Sequence, residues 1–426
     1  MYNKLTFPLQ DKLSFINNAL NWAKQFNHFA YYTSNDIEVL HQGFQTWMGI
    51  DSLIEIAPKN SALKTLDQLL ENHPNEWWCG CMSYELKNEI EHRHHNTNSS
   101  KQSLLYFFKP KYLFFFNASS IEIWSWDISP KTIYNTIIDF SINQPKKNSN
   151  FLIKHTTSKE SYIEKINLIK QHIKEGDVYE LNYCIDFSAQ TAGFDAITTF
   201  LKLNSKSPMP FAGIFKTPEQ TILCASPERF LKKSSDLIII QPIKGTIPRV
   251  ADNNKDIANQ KKLRNSPKEQ AENMMIVDLS RNDLAKTSAI GSVKVEEIFG
   301  IYSFTHLHQM ISTISARLKP NIKFSEIIKS TFPMGSMTGA PKIKAIDLIN
   351  DYETNPRGYF SGAIGYIQPN GDFDFNVVIR SILYCSNDHE LRFYVGSAIT
   401  FDSDAEKEYE ECMLKVASIF EVLQSN

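Results

Sequence analysis

An α+β fold follows from the way this sequence of 426 residues spaces its apolar runs. Strand-length runs come in blocks, helical stretches separate the blocks without the regular βαβ alternation of a doubly wound sheet, and no repeat of fixed period is visible. From residue 1 to about 150, Trp77–Tyr84, Ser103–Phe108, Tyr112–Phe116 and Ile121–Trp126 read as strands among short helices. The polar stretch Gln144-Pro145-Lys146-Lys147-Asn148-Ser149-Asn150 carries a helix breaker and divides the chain into an N-terminal α+β domain, 1–150, and a second domain, 151–426.

Beyond that boundary, Thr157-Ser158-Lys159-Glu160 has the form of a capping box. Tyr162, Ile163, Ile166, Ile169 and Ile173 then keep helical spacing until Gly176. Strands are expected at Tyr179–Phe187, Phe211–Phe215, Thr221–Ser226 and Leu237–Ile240. One long helix is expected from Lys255 to Asp283, and shorter ones at Phe324–Lys329 and Pro341–Asn350. Strands at Gly362–Gln368, Phe373–Leu383 and Leu391–Ile399 precede a last helix, Asp404 to Leu423.

Composition bounds the function. Lys and Arg number 45 against 47 Asp and Glu, a formal net charge of -2, which argues against an electrostatic nucleic-acid binder. With 42% apolar and 22% charged residues the chain is ordinary globular material. The start lacks a secretory apolar core, and the greasiest runs, Leu104–Phe108 and Tyr112–Phe116, are far shorter than a membrane helix. Six cysteines do not make a disulfide framework, so a cytoplasmic protein working away from membranes is expected. Cys79 and Cys81 lie upstream of His92, His94 and His95, which are zinc-ligand types. Cys-x-Cys is not the usual spacing, however, and the flanks read as a buried strand, which favours packing.

Several residues carry possible chemistry. In the last helix, Ser403-x-x-Glu406 has capping-box form, and Glu408, Glu411 and Lys415 fall on one face. That face is either solvated, with a Glu411–Lys415 pair, or two carboxylates for a hard cation beside an ammonium for an anion. Gly335-Ser336-Met337-Thr338-Gly339-Ala340-Pro341-Lys342 is not a P-loop. It is a helix-capping loop or a set of backbone N–H groups for an anion. Lys244 follows an apolar strand. It is an edge charge or, in a pocket, a lysine whose pKa desolvation lowers to give a nucleophilic amine. Glu228 is paired locally with Arg229 or is free for proton transfer. Glu272, mid-helix beside Met274, Met275 and Ile276, would be costly to bury unpaired.

In order, these motifs resemble those of the chorismate-utilising enzyme family. The resemblance covers roughly 155–420 and rests on Gly176-Asp177-Val178-Tyr179, Ser226-Pro227-Glu228-Arg229-Phe230, Pro242-Ile243-Lys244-Gly245-Thr246, Met275-Ile276-Val277-Asp278-Leu279, Arg281-Asn282-Asp283-Leu284, the 335–342 loop, Arg357-Gly358, Gly365-Tyr366, Ile379-Arg380-Ser381 and Asp402-Ser403. Ser83-Tyr84-Glu85-Leu86 is a fainter echo in the N-terminal third. The resemblance implies an intertwined β-sandwich-like core with helices outside, as in anthranilate synthase component I-like enzymes.

It also implies roles. Lysine at 244 is the pattern of the aminodeoxychorismate synthase branch, where the anthranilate and isochorismate branches have a small apolar residue. In that branch the lysine amine adds to C2 of chorismate as the C4 hydroxyl leaves, and ammonia then enters at C4 and expels the lysine, toward para-aminobenzoate and folate. Glu228 matches the general acid and base. Glu272 and Glu411 match Mg²⁺ ligands, with Glu408 one turn away. Arg380, Tyr366, Lys415, Gly396 and Ser397 match positions that grip a carboxylate, with Thr338, Gly339 and Thr246 near the substrate. Gln309 stands where the family usually has His, and can hydrogen-bond but not exchange a proton near neutral pH. No cysteine sits in a Gly-x-Cys-x-Gly elbow, so ammonia is expected from a separate glutamine amidotransferase subunit. Family members hold tryptophan in the N-terminal region, but the Leu-Leu-Glu-Ser motif of feedback-inhibited members is missing. An anthranilate or isochorismate synthase, and a non-catalytic chorismate-binding subunit, are the alternatives.

Overall fold

The structure is a computed structural model that describes residues 1–92, 102–140, 151–191 and 193–424. Among these, twenty strands join one hydrogen-bonded network, and every pairing is antiparallel. The network is one winding sheet with two arms. In one, Phe29–Thr33, Phe211–Lys216, Gln220–Ser226, Ser381–Cys385, Glu390–Ile399 and Glu180–Gln190 follow one another edge to edge. In the other, Trp78–Met82, Ala363–Ile367, Phe373–Asn376, Arg229–Ser234, Leu237–Gln241 and Leu307–Arg317 do the same. Trp47–Ile56 and Leu105–Phe116 connect the arms.

The arms fold face to face. Tyr32 of one donates its hydroxyl to Gly365 O of the other, and its ring packs on Tyr366 at 5.3 Å. Phe108 meets Phe215 at 5.6 Å, so an aromatic-rich core lies between the arms. Each outer face carries helices. Lys12–Ala23, Lys159–Glu175, Ala196–Lys206 and Ala405–Gln424 cover the first arm, and Ala62–Asn72, Pro267–Thr287 and Phe324–Thr331 cover the second. The α+β expectation and the sandwich-like core with outer helices are both met. Period 2 sorts the strand Glu180–Gln190: Leu181, Tyr183, Ile185 and Phe187 face the helices, leaving Glu180, Asn182 and Cys184 on the inner side.

Strands before and after residue 150 pair directly, Phe29–Thr33 with Phe211–Lys216 and Trp78–Met82 with Ala363–Ile367. The stretch proposed as a boundary, Gln144 to Asn150, lies outside the described residues, as do His94 and His95. Cys79 and Cys81 are fully buried in the inter-arm core, and all six cysteines are free thiols. No helix among the described residues is long and apolar enough to cross a membrane.

Four local readings are corrected. The runs on either side of Pro110 form one strand, because Pro110 opposes Ser52 at a register irregularity where its missing N–H is tolerated. The expected helix from Lys255 to Asp283 is two, Asn253–Arg264 and Pro267–Thr287. Ser266 accepts from Glu269 N and Pro267 opens the second, a start signal inside the run. The expected strand Phe373–Leu383 splits at 377–380, where Arg380 turns to a φ of 51°. Both capping boxes are displaced by one residue. Ser158, not Thr157, caps the helix Lys159–Glu175, and Asp404 accepts from Lys407 N while Ser403 turns its hydroxyl to Glu408.

Candidate active site

At one end of the two arms lies a cleft of about 170 Å³. Its walls come from the strands Glu180–Gln190, Glu390–Ile399, Ile243–Pro248 and Leu307–Arg317. The helices Pro267–Thr287 and Ala405–Gln424 and the loops before Arg229, after Met334 and at Arg380 close it.

Lys244 reaches the cleft through a bulge. Ile243 opposes Ile311 and Thr246 opposes Gln309, so Lys244 and Gly245 face the single residue Met310. Gly245 supplies the positive φ of 89° that this turn requires, and a Cβ there would stand 2.8 Å from Glu269 Oε2. Lys244 Nζ lies 2.5 Å from Glu180 Oε1 and 3.4 Å from Asn182 Oδ1, and Lys244 is 7% exposed. The expectation that a pocket would leave a neutral amine is overturned. Burial pulls its pKa down, but Glu180, Glu272 and Glu228 outweigh burial and hold the ammonium above its ordinary range.

Glu228 is 3% exposed and accepts Ser336 Oγ–H at 2.6 Å. Burial raises its pKa to about 7, against the hydrogen bond from Ser336 and the charge of Lys244. The local alternative, a salt bridge with Arg229, does not form: Arg229 turns away to Asp374 at 3.0 Å. Arg380 lines the cleft, and its guanidinium has no hydrogen-bond or ion-pair partner among the described residues. Burial alone lowers its pKa to about 10. A desolvated cation without a counter-ion is a seat for an anion.

Opposite stand the acids. Glu272 is 8% exposed, its Oε1 has no hydrogen-bond partner, and burial lifts its pKa to about 7, eased by Lys244 and raised further by Glu180. Glu408 accepts Ser403 Oγ–H at 2.8 Å. Lys268 stands between the two acids, its Nζ 3.8 Å from Glu272 and 3.6 Å from Glu408. Burial works against the Lys268 charge, and these two glutamates keep its pKa raised. Glu411 is bound to Lys415 at 2.6 Å, and despite burial that ammonium holds its carboxyl below the ordinary range. Lys415 also donates to Gly396 O at 3.2 Å. The helix face is thus mixed: Glu408 is buried, while Glu411, its side chain 47% exposed, makes the i,i+4 pair with Lys415 that the solvated-face reading gave.

A buried carboxylate with an unbonded oxygen, separated from a second carboxylate by the Lys268 ammonium, has the chemistry of a site for a hard divalent cation, which takes oxygen ligands and keeps several waters. The three glutamates are spaced more widely than a closed ligand cage. Among the described residues the group of three ligand-type side chains with atoms within 4.8 Å of one another is His172, Glu175 and Asp177, away from the cleft.

Ten expected residues thus line one cleft: Lys244, Glu228, Thr246, Arg380, Gly396, Lys415, Gln309, Glu272, Glu408 and Glu411. Four do not. Tyr366 is buried in the inter-arm core among Tyr32, Phe44 and Trp47. Ser397 lies one residue past Gly396 on the alternate face, against Tyr162 OH at 3.0 Å. Thr338 bonds its own loop at Met334 O, and its carbonyl accepts from Asn182 N. Gly339 pairs with Leu181 at a φ of 145°, where a Cβ would stand 2.1 Å from Glu180 O, so it serves the approach of two backbones. Ser336 and Met337 of that loop face the cleft instead. Gln309 donates weakly to Thr246 Oγ1 at 3.5 Å, with its Oε1 unpartnered, while His308 points away to Asp256 and Ser303.

The sequence reading missed Glu180, Asn182, Lys268, Glu269 and Tyr394. Two signals were available: alternation from Leu181 places Glu180 and Asn182 off the helix-facing side, and Lys268 lies one helical turn before Glu272.

Comparison with known proteins gives the family of the chain. The model of the family described as chorismate binding enzyme matches residues 20–421. Aminodeoxychorismate synthase component 1 of Klebsiella aerogenes is 38% identical over 274 residues, 63% of this chain and 59% of that protein, so the match spans about three fifths of the relative's length. The menaquinone-specific isochorismate synthase of Escherichia coli superposes with a TM-score of 0.78 at 16% identity, covering 100% of this chain and 95% of that one. Anthranilate synthase component I of Streptococcus pneumoniae gives 0.76 at 22% identity, covering 90% and 95%. These two likenesses concern the fold. With the ordered motifs converging on one charged cleft, and a family model matched across nearly the whole sequence, the chain belongs to the chorismate-binding enzyme family.

Proposed function

We propose that the chain converts chorismate and ammonia to 4-amino-4-deoxychorismate through a covalent intermediate on Lys244. The observation that carries this reading is the buried Lys244 ammonium, aimed into the cleft by a bulge and lying between Glu180 and the proton-holding Glu228. The 38% identity to a relative named for this synthase activity supports it.

Arg380, with Lys415 in the same cleft, holds a substrate carboxylate. Glu228, half protonated near pH 7, donates its proton to the departing C4 hydroxyl, which leaves as water. It then accepts a proton from the ammonia that enters at C4. Glu272 and Glu408, with Glu411 nearby, would hold Mg²⁺ through few protein oxygens. Bound there, the ion supplies charge that fixes the second carboxylate of chorismate. Thr246 and Gln309 offer polar contacts in the lining of the same cleft. Ammonia comes from a separate glutamine amidotransferase subunit, since burial raises the pKa of every thiol in the well-packed part of this chain, and a glutaminase needs a reactive thiolate. Free thiols also suit a reducing, cytoplasmic setting.

The test is to incubate the protein with chorismate, Mg²⁺ and ammonium and to identify the product by mass and absorbance. 4-Amino-4-deoxychorismate is expected. Anthranilate or isochorismate as the main product, or tight chorismate binding with no turnover, would overturn the reading.

A further inference from the structure

Glu180 is fully buried, and its Oε1 lies 2.5 Å from Lys244 Nζ while its Oε2 has no hydrogen-bond partner. A carboxylate so placed is expensive to desolvate unless a partner or a function compensates. Its position is built with care. The strand Glu180–Gln190 is pinned by Gly339, whose lack of a Cβ lets the two backbones meet, and Asn182 on the same face adds a second contact to Lys244. Meanwhile an ammonium has no lone pair and cannot attack carbon. We propose that Glu180 takes the Lys244 proton as the amine attacks and gives it back when the amine leaves.

This rests on the assignment of Lys244 as nucleophile. In the resting pair the proton is on Nζ. It passes to Oε1, the freed lone pair forms the N–C2 bond, the two ring double bonds each shift one place, and the C4–O bond breaks with the proton of Glu228 completing water. In the second half ammonia forms the C4–N bond and passes a proton to Glu228. The double bonds shift back, the N–C2 bond breaks, and the departing neutral amine recovers its proton from Glu180. No oxidant or further reactant is needed. The groups facing Lys244 are Glu180 and Asn182 from one strand, Glu272 from the helix Pro267–Thr287, and Glu228 from the loop before Arg229. Among them Glu180 is the carboxylate within hydrogen-bond distance.

The test compares wild type with Glu180→Gln and Glu180→Asp, using pH profiles of kcat, chorismate binding and the mass of quenched protein. For Glu180→Gln the expected result is a kcat lowered about 100-fold or more at pH 7. The loss relative to wild type should then shrink about tenfold per pH unit, as the ammonium must lose its proton to water while Glu228 titrates alike in both proteins, with chorismate binding retained. Glu180→Asp restores part of the rate at pH 7. A loss independent of pH, or unchanged turnover, would overturn the proposal. If the Gln variant does not fold, the Asp variant decides: a pH profile identical to wild type at full rate, or a uniform loss, contradicts the assignment. Failure of the underlying reading looks different, since wild type itself would then carry no adduct on Lys244.

Discussion

Glu228 and Arg229 are neighbours in the chain and face opposite fates, and with them go two polar regions of the interior. On the Arg229 side every guanidinium nitrogen has a partner: Nε and Nη2 reach Asp374 at 3.0 and 3.1 Å, Nη1 reaches Gln241 at 2.5 Å, and Nη2 also reaches Gln42 O. On the Glu228 side the charges are left incomplete. Among the described residues Arg380 has no side-chain partner, Glu272 and Glu180 each keep an oxygen without a hydrogen bond, and so does Gln309 at Oε1. Both regions are buried and built from the same residue types. A closed network ties strands of the second arm to the loop that carries Gln42, whereas the unmet valences concentrate in one cleft, where the proposed substrate and cation would sit.

The comparison can be broken most forcefully at its closed end. Arg229→Met leaves the Asp374 carboxylate, 3% exposed, with only Lys232 at 4.0 Å in place of two charged hydrogen bonds. Stability by guanidinium titration is expected to fall about 3–5 kcal/mol. Arg380→Met should leave stability within about 1 kcal/mol, while chorismate affinity drops roughly 10- to 100-fold for the lost charged hydrogen bonds. Equal destabilisation by the two changes would erase the distinction between the regions.

Glu228→Gln should lower kcat about 10²- to 10⁴-fold. In wild type, kcat should decline as pH rises past about 7, where Glu228 loses the proton it donates. Stability moves the same way. The folded pKa is raised from 4.5 to about 7, so the folded chain holds a proton that the unfolded chain has shed across that window. Stability therefore falls as pH rises through it, by on the order of 3 kcal/mol in total. Glu228→Gln should recover part of that at pH 8, and a variant no more stable than wild type there would contradict the burial argument.

Smaller effects follow at the acids. Glu411→Gln should weaken the Mg²⁺ dependence of turnover, and an unaltered metal titration would reassign the ligand. Ser403→Ala frees Glu408 from its hydrogen bond and should cost roughly tenfold in Mg²⁺ affinity. Asp404→Ala removes only a helix cap and should cost about 1 kcal/mol of stability with metal affinity unchanged.

The same contrast explains what the sequence made legible. Local chemistry was readable: Gly176 ends its helix in the left-handed region, and Glu408, Glu411 and Lys415 share a face as their spacing requires. The cleft was readable where motifs carry charge, since Lys244, Glu228, Arg380 and Glu272 stand out as costly to bury. Pairings across the chain were not. Arg229 chooses Asp374, 145 residues away, over adjacent Glu228, and Lys244 finds Glu180 by strand topology. Tyr366 and Ser397 were misplaced for a simple reason: a residue in a strand next to a functional position points to the other face, and the phase depends on pairings made far along the chain. The break before Pro267 is written in Ser266-Pro267, a helix-start signal inside a stretch of helical composition.

The most direct measurement is peptide mapping of wild-type protein quenched after mixing with chorismate and Mg²⁺ without ammonia. The account predicts an adduct of chorismate less water on the peptide that contains Lys244, lost on adding ammonium as 4-amino-4-deoxychorismate appears, and not formed by Lys244→Ala. An unmodified Lys244 during undiminished product formation, or full turnover by Lys244→Ala, would contradict it.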